Sequence, residues 1–221
     1  MNRLPRLHLV CALALVACTT HVTGNGVLGV EQRTVPPFDE VAITLGIEAT
    51  VTAGAATQEL TISGDENLLQ YILTPVESGV LKTRLNGIDG IESVHPLRIT
   101  AKVLELHAVH ASGASRVDVK GAGSTEAGFT FEVGASEASG VQLQGPGGGQ
   151  LLVVLSGGSA LDAYACPVAG ANVVLSGSST LRINSAGEVA GSATGASTVE
   201  ITGGGTCAAL VLSGSSTCQA H

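Results

Sequence analysis

Serine is the residue of this chain best placed to act as a nucleophile, because it recurs in a Gly-x-Ser motif. Six copies are present, and their serines are Ser115, Ser136, Ser159, Ser179, Ser197 and Ser216. A serine nucleophile of the elbow type requires Gly-x-Ser-x-Gly at a strand-to-helix turn. None of the six copies has glycine at the fifth position. The motif therefore predicts a repeated turn, and we expect these serines to be structural.

Carboxylates suggest a second chemistry, the cleavage of a glycosidic bond. In a stack of similar coils, Asp162, Arg182 and Glu200 fall in one outward row on three successive coils. The two carboxylates then lie about 9.6 Å apart, near the upper limit for an inverting pair. Arg182 between them favours the ionised form of both, which is typical of a solvated charge ladder. A polysaccharide-processing enzyme is the alternative function, but we expect no catalytic residue.

Histidines and acidic residues do not have the spacing of a metal site. His107 and His110 are three residues apart, so on a strand they point to opposite faces, and His95 is isolated. Asp65 and Glu66 supply two carboxylates, whereas Ca²⁺ takes about 6–8 oxygen ligands. Asp65 is better interpreted as the N-cap of a short helical turn. We expect neither a metal nor a cofactor.

The elements that carry these residues are short strands at a regular interval. The glycines of successive Gly-x-Ser motifs are 21, 23, 20, 18 and 19 residues apart. Apolar and polar residues alternate after the motifs, as in 117–119, 181–183 and 199–201, which is the period of a half-buried strand. Such a unit cannot bury its own apolar face, but stacked units bury a continuous one.

The repeat therefore predicts an all-β fold, a right-handed parallel β-helix (β-solenoid) with coils of about 20 residues. The six motif serines are expected in one column, with hydroxyls able to bond along it. A β-sandwich also has short strands at regular spacing, but it does not usually repeat one tripeptide six times. The expected inward column consists of Val117, Leu161, Leu181, Val199 and Cys218.

One continuous solenoid domain is predicted for residues 27–221. Its first part, 27–105, is less regular, and its second part, 106–221, carries the Gly-x-Ser repeats. The stretch 145–149, Gly-Pro-Gly-Gly-Gly, predicts a flexible loop that bulges from one coil.

Composition limits the kind of core and the kind of partner. Hydrophobic residues make up 44% of the 221 residues, but aromatic residues only 2%, and tryptophan is absent. The core must therefore consist of Val, Leu, Ile and Ala in many thin layers. The formal net charge is −8, and the sequence has no basic cluster. Nucleic-acid binding is excluded on these grounds.

The N-terminus has the pattern of an export signal. Arg3 and Arg6 precede an apolar run that is too short to span a bilayer. The run ends in Leu-Val-Ala-Cys at 15–18, which resembles the lipobox of bacterial lipoproteins. The resemblance implies a signal peptide at 1–17, a lipid anchor on Cys18 and a short tether at 18–26. Thr19, in place of Asp, implies the outer membrane.

An ordinary cleaved signal with a chance cysteine is the alternative to the lipobox. With Cys11 removed and Cys18 lipidated, Cys166, Cys207 and Cys218 remain, an odd number in a compartment that permits disulfides. One bridge and one free thiol are expected, with the pairing open. Loss of 1–17 also changes the formal charge to about −10.

The sequence resembles the head GIN domain family, described as putative auto-transporter adhesins. Matching features are the segments 31–33 and 38–41, the Gly-Asp-Glu-Asn-Leu-Leu segment at 64–69 and the serial Ser-Gly-Ala-Ser-type motifs from Ser112 onward. The resemblance covers roughly 26–218 and implies a right-handed β-helix in the cell envelope. It implies no catalytic residue, and an adhesive or scaffolding role is an analogy at the level of the fold.

Three features predict the partners: the lipid anchor, the outer faces of the coils and the end of the solenoid. The lipid on Cys18 binds the membrane, and the coil faces suit an unspecified envelope or cell-surface partner, a protein or a glycan. Few Trp, Tyr and Arg anchors predict weak contacts that depend on avidity. The chain stops directly after a repeat, so we expect dimerisation through that solenoid end or a cap from the N-terminal segment.

Overall fold

A computed structural model describes residues 20–221 apart from residues 125 and 127. The predicted signal peptide, 1–17, and the predicted lipidation site, Cys18, lie outside the described residues.

The less regular first part consists of short strands and one helical turn. These elements are β1 (His21–Thr23), β2 (Leu28–Gln32), β3 (Glu40–Ile43), β4 (Glu48–Thr52), β5 (Glu59–Asp65), α1 (Glu66–Leu69), β6 (Ile72–Leu73), β7 (Val76–Glu77), β8 (Val80–Lys82), β9 (Arg84–Leu85), β10 (Gly90–Glu92) and β11 (Arg98–Lys102).

The second part alternates between the two main sheets, two strands to a coil. Its strands are β12 (Ala108–Ala111), β13 (Arg116–Lys120), β14 (Thr130–Ala135), β15 (Gly140–Gln144), β16 (Gln150–Leu155), β17 (Ala160–Val168), β18 (Gly170–Leu175), β19 (Thr180–Ser185), β20 (Val189–Ala193), β21 (Thr198–Thr202), β22 (Leu210–Leu212) and β23 (Thr217–Ala220).

The strands stack as the coils of a β-solenoid, which confirms the predicted fold. The ten-stranded sheet has the order β2-β5-β11-β4-β13-β15-β17-β19-β21-β23, and the nine-stranded sheet has the order β22-β20-β18-β16-β14-β12-β3-β8-β7. From β12 and β13 onward every neighbour pair within these sheets is parallel. Each coil thus contributes one strand to each sheet.

The core lies between the two sheets, because alternate residues of most of their strands point inward. Burial of one such Val, Leu or Ile side chain contributes about 1.5–3 kcal/mol. Parallel register places equivalent residues of successive coils in contact, so the predicted column is present, with one further member. Its residues are Val117, Val141, Leu161, Leu181, Val199 and Cys218.

The first coils do not stack in chain order, which the sequence did not reveal. The coil of β3 and β4 lies between the coil of β8 and β11 on one side and the coil of β12 and β13 on the other. The chain therefore passes β4 on its way from β11 to β12. Residues 103–107 make this passage, with backbone hydrogen bonds from Val103 N to Thr52 O and from Ala55 N to Val103 O, each 2.9 Å.

Antiparallel strands and the N-terminal segment close the first end of the solenoid. We call β2, β5, α1 and residues 20–27 the cap. β5 runs antiparallel to both β11 and β2, and β1 pairs with β10. The expected tether at 18–26 was wrong from residue 20 onward, because this segment is hydrogen-bonded into the cap.

The glycine-rich stretch 145–149 is not a bulging loop, so that prediction was wrong. Gly145 N donates to Ala165 O, and Gly148 N donates to Pro167 O. Gly147 is buried and pairs with Gly123. The stretch forms a third side of its coil, and glycine is required because neighbouring backbones approach too closely for side chains.

The cysteines of the second part pair within the last coil. Cys207 and Cys218 form a disulfide, and Cys166 is a buried free thiol whose pKa is raised by that burial. This resolves the pairing that the sequence left open.

Candidate functional surfaces

The motif serines lie in a column at one corner, with one correction. Strand register aligns Ser115, Ser139, Ser159, Ser179, Ser197 and Ser216. Ser139, not Ser136, occupies the second place. Ser136 instead begins its turn, like Ser156 and Ser176 in the next two coils. The repeat is therefore Ser-x-x-Ser, with Thr194 in place of the first serine in one copy, and Glu137 replaces glycine in the copy at 136–139, with a φ of 55°.

The serine hydroxyls support turns rather than chemistry. Those of Ser159, Ser179 and Ser197 donate to the carbonyl oxygen three residues earlier, at 2.7, 2.8 and 2.9 Å. These donated bonds lie within a coil, whereas the hydroxyls of Ser139 and Ser216 accept from Ser115 N and Ser197 N of the neighbouring coils, each at 3.2 Å, along the column as expected. Ser115, Ser159, Ser179 and Ser197 are buried, so they are inaccessible to a substrate. These contacts define a structural role.

Asp162, Arg182 and Glu200 form one outward row on the ten-stranded sheet, as their spacing predicts. Nε of Arg182 lies 3.0 Å from Glu200, and Nη1 lies 3.8 Å from Asp162. Tyr164 completes the group, because its hydroxyl donates to Glu200 at 3.1 Å and its ring lies 4.9 Å from the guanidinium carbon.

The pKa shifts in this row favour the charged forms of Arg182 and Glu200, which pair with each other. The Arg182 guanidinium, by hydrogen bond and charge, holds the pKa of Glu200 below its ordinary value, and Tyr164 adds a second hydrogen bond. Glu200 in turn raises the pKa of Arg182. Burial and the neighbouring carboxylate raise the pKa of Tyr164. A glycosidase acid needs a raised carboxyl pKa, and Glu200 has the reverse.

An exposed apolar patch occupies the outer face of the nine-stranded sheet. It consists of Leu152, Val154 and Val174, whose exposed fractions are 39%, 52% and 49%. Val154 and Val174 are directly paired across neighbouring strands, and Leu152 lies two residues from Val154 on the same face. The sequence signal for it is present but was missed: 151–155 and 173–175 are continuous apolar runs, which place apolar side chains on both faces.

A shallow depression of about 380 Å³ adjoins the apolar patch. It arises at Gly134, which lacks a side chain between His110 on one strand and Val154 on the next. His110 lies over Gly134, since a Cβ there would come 2.6 Å from Nδ1 of the imidazole. Its sequence neighbour His107 contacts Asp39 instead, at 3.3 Å. The two histidines are therefore not brought together.

Asp65 and His95, which the sequence did not connect, meet in the cap. Asp65 is the N-cap residue of α1 by position but makes no capping hydrogen bond with its side chain. Its carboxylate is buried and accepts hydrogen bonds from Gly26 N, Val94 N, His95 N and His95 Nδ1. His95 is therefore not isolated, and the pair tethers the N-terminal segment to the cap.

The described part of the chain has neither a cluster of metal ligands nor a helix suited to span a membrane. No group of three or more His, Cys, Asp or Glu side chains there is arranged to hold a metal ion. Within the same residues, no helix is long and apolar enough to cross a bilayer.

Stacked parallel coils, a structural serine column and broad outer faces define the class of the protein, an elongated β-solenoid. Residues 37–205 match the family described as "Putative auto-transporter adhesin, head GIN domain", and the chain belongs to this family. No curated protein matches the chain in sequence.

Solved structures of similar fold include proteins from Parabacteroides and Bacteroides species. A putative lipid binding protein from Parabacteroides distasonis is 16% identical, with a TM-score of 0.57, 91% of this chain covered and 100% of that one. A putative adhesin from Bacteroides fragilis is 14% identical, with a TM-score of 0.61 and coverage of 90% and 98%. A putative adhesin from Parabacteroides merdae is 16% identical, with a TM-score of 0.51 and coverage of 91% and 99%. At these identities the likeness concerns the fold.

Proposed function

We propose that this protein is a non-catalytic adhesive module, exported and lipid-anchored at Cys18 in the bacterial outer membrane. The observation that carries the adhesive role is the apolar patch on the outer face of the nine-stranded sheet. Exposed contiguous aliphatic side chains on a folded surface are typical of an interaction site. Family membership and the adhesin labels of two similar structures support the same role.

The partner proposed for the apolar patch is a protein surface rather than a glycan. Saccharide recognition usually employs exposed aromatic platforms, and the chain has few aromatic residues. Phe38 and Phe131 are buried, and Tyr164 is engaged by Arg182 and Glu200. Exposed aliphatic side chains suit an apolar protein surface better, although Glu132 is paired with Leu152 on the same face. Such contacts are individually weak, so attachment depends on many copies at one membrane.

The alternative, polysaccharide processing, lacks support from the charged row. Its two carboxylates are separated by Arg182, and the pKa of Glu200 is lowered rather than raised. The row therefore offers charge pairing, not a proton donor.

Attachment of bacteria that produce the full chain tests the proposed function. Surfaces are coated with denatured collagen, a neutral polysaccharide or phospholipid. We expect attachment to the protein coat, and a several-fold loss in Val154→Asp and Val174→Asp. Thr100→Asp, a change at an exposed position on the ten-stranded sheet, is the control and keeps attachment. Attachment to polysaccharide or lipid alone, or equal loss in all three variants, would contradict the proposal.

The anchor has its own test, because Cys18 lies outside the described residues. Mass spectrometry of the mature N-terminal peptide is expected to show Cys18 as the first residue, with a diacylglycerol thioether and an amide-linked acyl chain. A mature chain that begins elsewhere, or an unmodified Cys18, would remove the anchor from the proposal.

A further inference from the structure

A second group of exposed aliphatic side chains lies at the cap, apart from the apolar patch. Leu28 and Val30 in β2 are 59% and 67% exposed, and Val94, in the loop before β11, is 64% exposed. β2 is the outermost strand of the ten-stranded sheet, and among the described strands it pairs only with β5. We call Leu28, Val30 and Val94 the cap surface. Exposed aliphatic side chains that lie close together are typical of a contact site.

The cap surface surrounds one buried carboxylate, that of Asp65. Leu28 is the strand partner of Asp65, and residues opposite each other in paired strands point to the same face. Val30, two residues further along β2, points to that face as well. Val94 N donates to Oδ2 of Asp65 at 2.7 Å, and Gly26 N donates to Oδ1 at 3.0 Å. The three aliphatic residues therefore belong to one area, and the N-terminal segment passes beside it.

The N-terminal segment is fixed to the body of the protein as far as Thr20. Thr20 N donates to Oδ2 of Asp89 at 2.8 Å, Asp89 N donates to Thr20 O at 3.0 Å, and β1 then pairs with β10. The proposed anchor, Cys18, precedes Thr20 by two residues, which span at most about 7 Å. Even the whole stretch from 18 to 26 spans at most about 29 Å. A membrane that holds Cys18 is therefore within reach of the cap surface.

Charged residues limit the apolar area to the cap end of this sheet. Val30 aligns with Ser63, and Ser63 aligns with Arg98 on the next strand. Arg98 aligns in turn with Glu48, and Nε of Arg98 lies 2.9 Å from its carboxylate. The neighbouring charges are thus paired with each other, so the border of the cap surface carries little net charge. The face beyond this border is too polar to enter an apolar phase.

We infer that the cap surface docks into the interfacial region of the membrane that holds the anchor. The inference rests on the proposed function for the anchor at Cys18. Aliphatic side chains at a bilayer surface become buried at the boundary between headgroups and acyl chains. The short connection to Cys18 keeps the cap at a high local concentration beside the lipid, so three side chains are enough for a contact that would be weak in a free protein.

The length of chain beside the cap surface favours lipid over another segment of this chain as the occupant. With cleavage before Cys18, as the proposed anchor requires, only Cys18 and Thr19 precede the described residues. Two residues are too few to cover three exposed side chains. The lipid on Cys18, in contrast, brings a membrane surface to them.

The contact would also set the orientation of the solenoid. The coil of β18 and β19, which carries Val174 of the apolar patch, lies seven strand spacings from β2, roughly 34 Å. With the cap in the interface and the charged residues outside it, the later coils point away from the membrane. The apolar patch then stays accessible to a partner protein.

Tryptophan fluorescence on vesicles tests the inference, because the chain contains no tryptophan of its own. Val30→Trp is introduced into the full lipidated chain, which is bound to neutral phosphatidylcholine vesicles whose acyl chains carry bromine near the headgroups. We expect the bromine to quench Val30→Trp several-fold more strongly than Val174→Trp, a matched change of an exposed valine on the distant coil. Val94→Trp is a second reporter for the cap surface, for use if Val30→Trp unfolds.

A charge on the cap surface should remove the contact but not the anchor. Leu28→Asp, added to the Val30→Trp chain, is expected to lower its quenching to the level of Val174→Trp while the chain still floats with the vesicles. Thr198→Asp, at a half-exposed position on β21, is the control and should leave the quenching of Val30→Trp unchanged.

The contrary outcomes separate the contact from the anchor. Chains that float with the vesicles but show no quenching at either reporter would overturn the contact and leave the anchor intact. Equal quenching of Val30→Trp and Val174→Trp would mean that the solenoid lies along the membrane, which would overturn the docking of the cap end. A blue shift of Val30→Trp in detergent that depends on protein concentration, without quenching on vesicles, would assign the cap surface to a second copy instead. Chains that do not float would refute the anchor, and the inference with it.

Discussion

Nδ1 of His95 lies 3.0 Å from Oδ1 of Asp65, and the carboxylate that it contacts is fully buried in the cap. An ionised carboxylate only accepts hydrogen bonds, so Nδ1 must carry the proton. Each carboxylate oxygen accepts two bonds: Oδ1 from Gly26 N and His95 Nδ1, and Oδ2 from Val94 N and His95 N. These bonds join the N-terminal segment, β5 and the loop before β11.

Asp65→Asn should lower the melting temperature by several degrees at pH 7. Asparagine keeps one acceptor oxygen, and its amide group would face two N–H donors without a partner. Glu92→Gln, an exposed change in the neighbouring β10, is the control and should melt like the parent. Thermal unfolding followed by circular dichroism measures the difference. Equal melting temperatures for Asp65→Asn and the parent would show that this network is not needed for the cap.

Acid should remove the same stabilisation. The His95 side chain and three backbone N–H groups lower the pKa of Asp65 from its ordinary 3.8, although burial opposes them. Since the folded pKa is the lower one, the contribution is complete above 3.8 and is lost as pH falls through the folded value. The gap between parent and Asp65→Asn should therefore shrink below pH 3.8. A gap that stays constant down to pH 2 would contradict this assignment.

The repeat in the sequence predicted the solenoid because a single side-chain pattern recurs at a nearly constant step. The repeat misplaced one corner of the solenoid. Residues 134–136 have the Gly-x-Ser sequence, but the strand register does not align them with the other motifs. The true corner has Glu137, at positive φ, where the other copies have glycine. A tripeptide alone cannot reveal this. The alternation of the strands on either side fixes the register and points to Ser139.

Replacement of Ser115, in the serine column, is expected to leave stability unchanged or to raise it. Its hydroxyl is buried, and it has no hydrogen-bond partner among the described residues. Its neighbour in the adjacent coil is Ile47, whose side chain offers no polar atom. Ser115→Ala removes an unsatisfied group, so we expect unchanged or slightly higher stability, by up to about 1 kcal/mol.

Ser179→Ala is the matched comparison for Ser115→Ala. Ser179 is equally buried, but its hydroxyl donates to Ser176 O at 2.8 Å. We expect a loss of about 0.5–1.5 kcal/mol in the free energy of unfolding, measured by urea denaturation. Equal losses at both positions would mean that the hydroxyl of Ser115 is satisfied after all.

Gly147→Ala tests whether the stretch 145–149, which was expected to be a loop, is a packed third side of its coil. A Cβ on Gly147 would overlap the carbonyl oxygen of Pro167, and its φ of 67° is unfavourable for alanine. Gly54 has a similar φ of 76° but no atom within 4 Å of a Cβ among the described residues. Gly54→Ala thus measures the backbone strain alone. Gly147→Ala should destabilise by roughly 1–3 kcal/mol more in urea denaturation. A difference near zero would indicate that 145–149 is mobile.

Other parts of the fold and site could not be read from one sequence. The Asp65 network joins backbone N–H groups from 26, 94 and 95. Almost every residue type has such a donor, so the sequence does not identify these three. The insertion of the β3–β4 coil between β8–β11 and β12–β13 depends on which edges meet in space. The pairing of Cys207 with Cys218 likewise depends on the geometry of the coil formed by β22 and β23.

Reduction of the Cys207–Cys218 disulfide should loosen the coil of β22 and β23 before the rest of the molecule. The bond closes a short loop, and its loss is expected to cost about 2 kcal/mol. Because a solenoid coil depends mainly on its neighbours, hydrogen exchange should accelerate in β22 and β23 while β13 and β15 stay protected. Cys207→Ser should reproduce the effect, and acceleration spread evenly over all coils would contradict it.

The number of reactive thiols on the mature chain tests both that disulfide and the lipid anchor on Cys18. Cys166 is buried and its thiol pKa is raised, so it should react with an aromatic disulfide reagent only after unfolding. With Cys207 and Cys218 paired and Cys18 lipidated, the unfolded, unreduced mature chain should show a single reactive thiol. Cys166→Ala should then show none, which makes it the control. A second reactive thiol in the parent that persists in Cys166→Ala would mean that Cys18 carries no lipid or that the disulfide is incomplete, and reduction before labelling distinguishes the two cases.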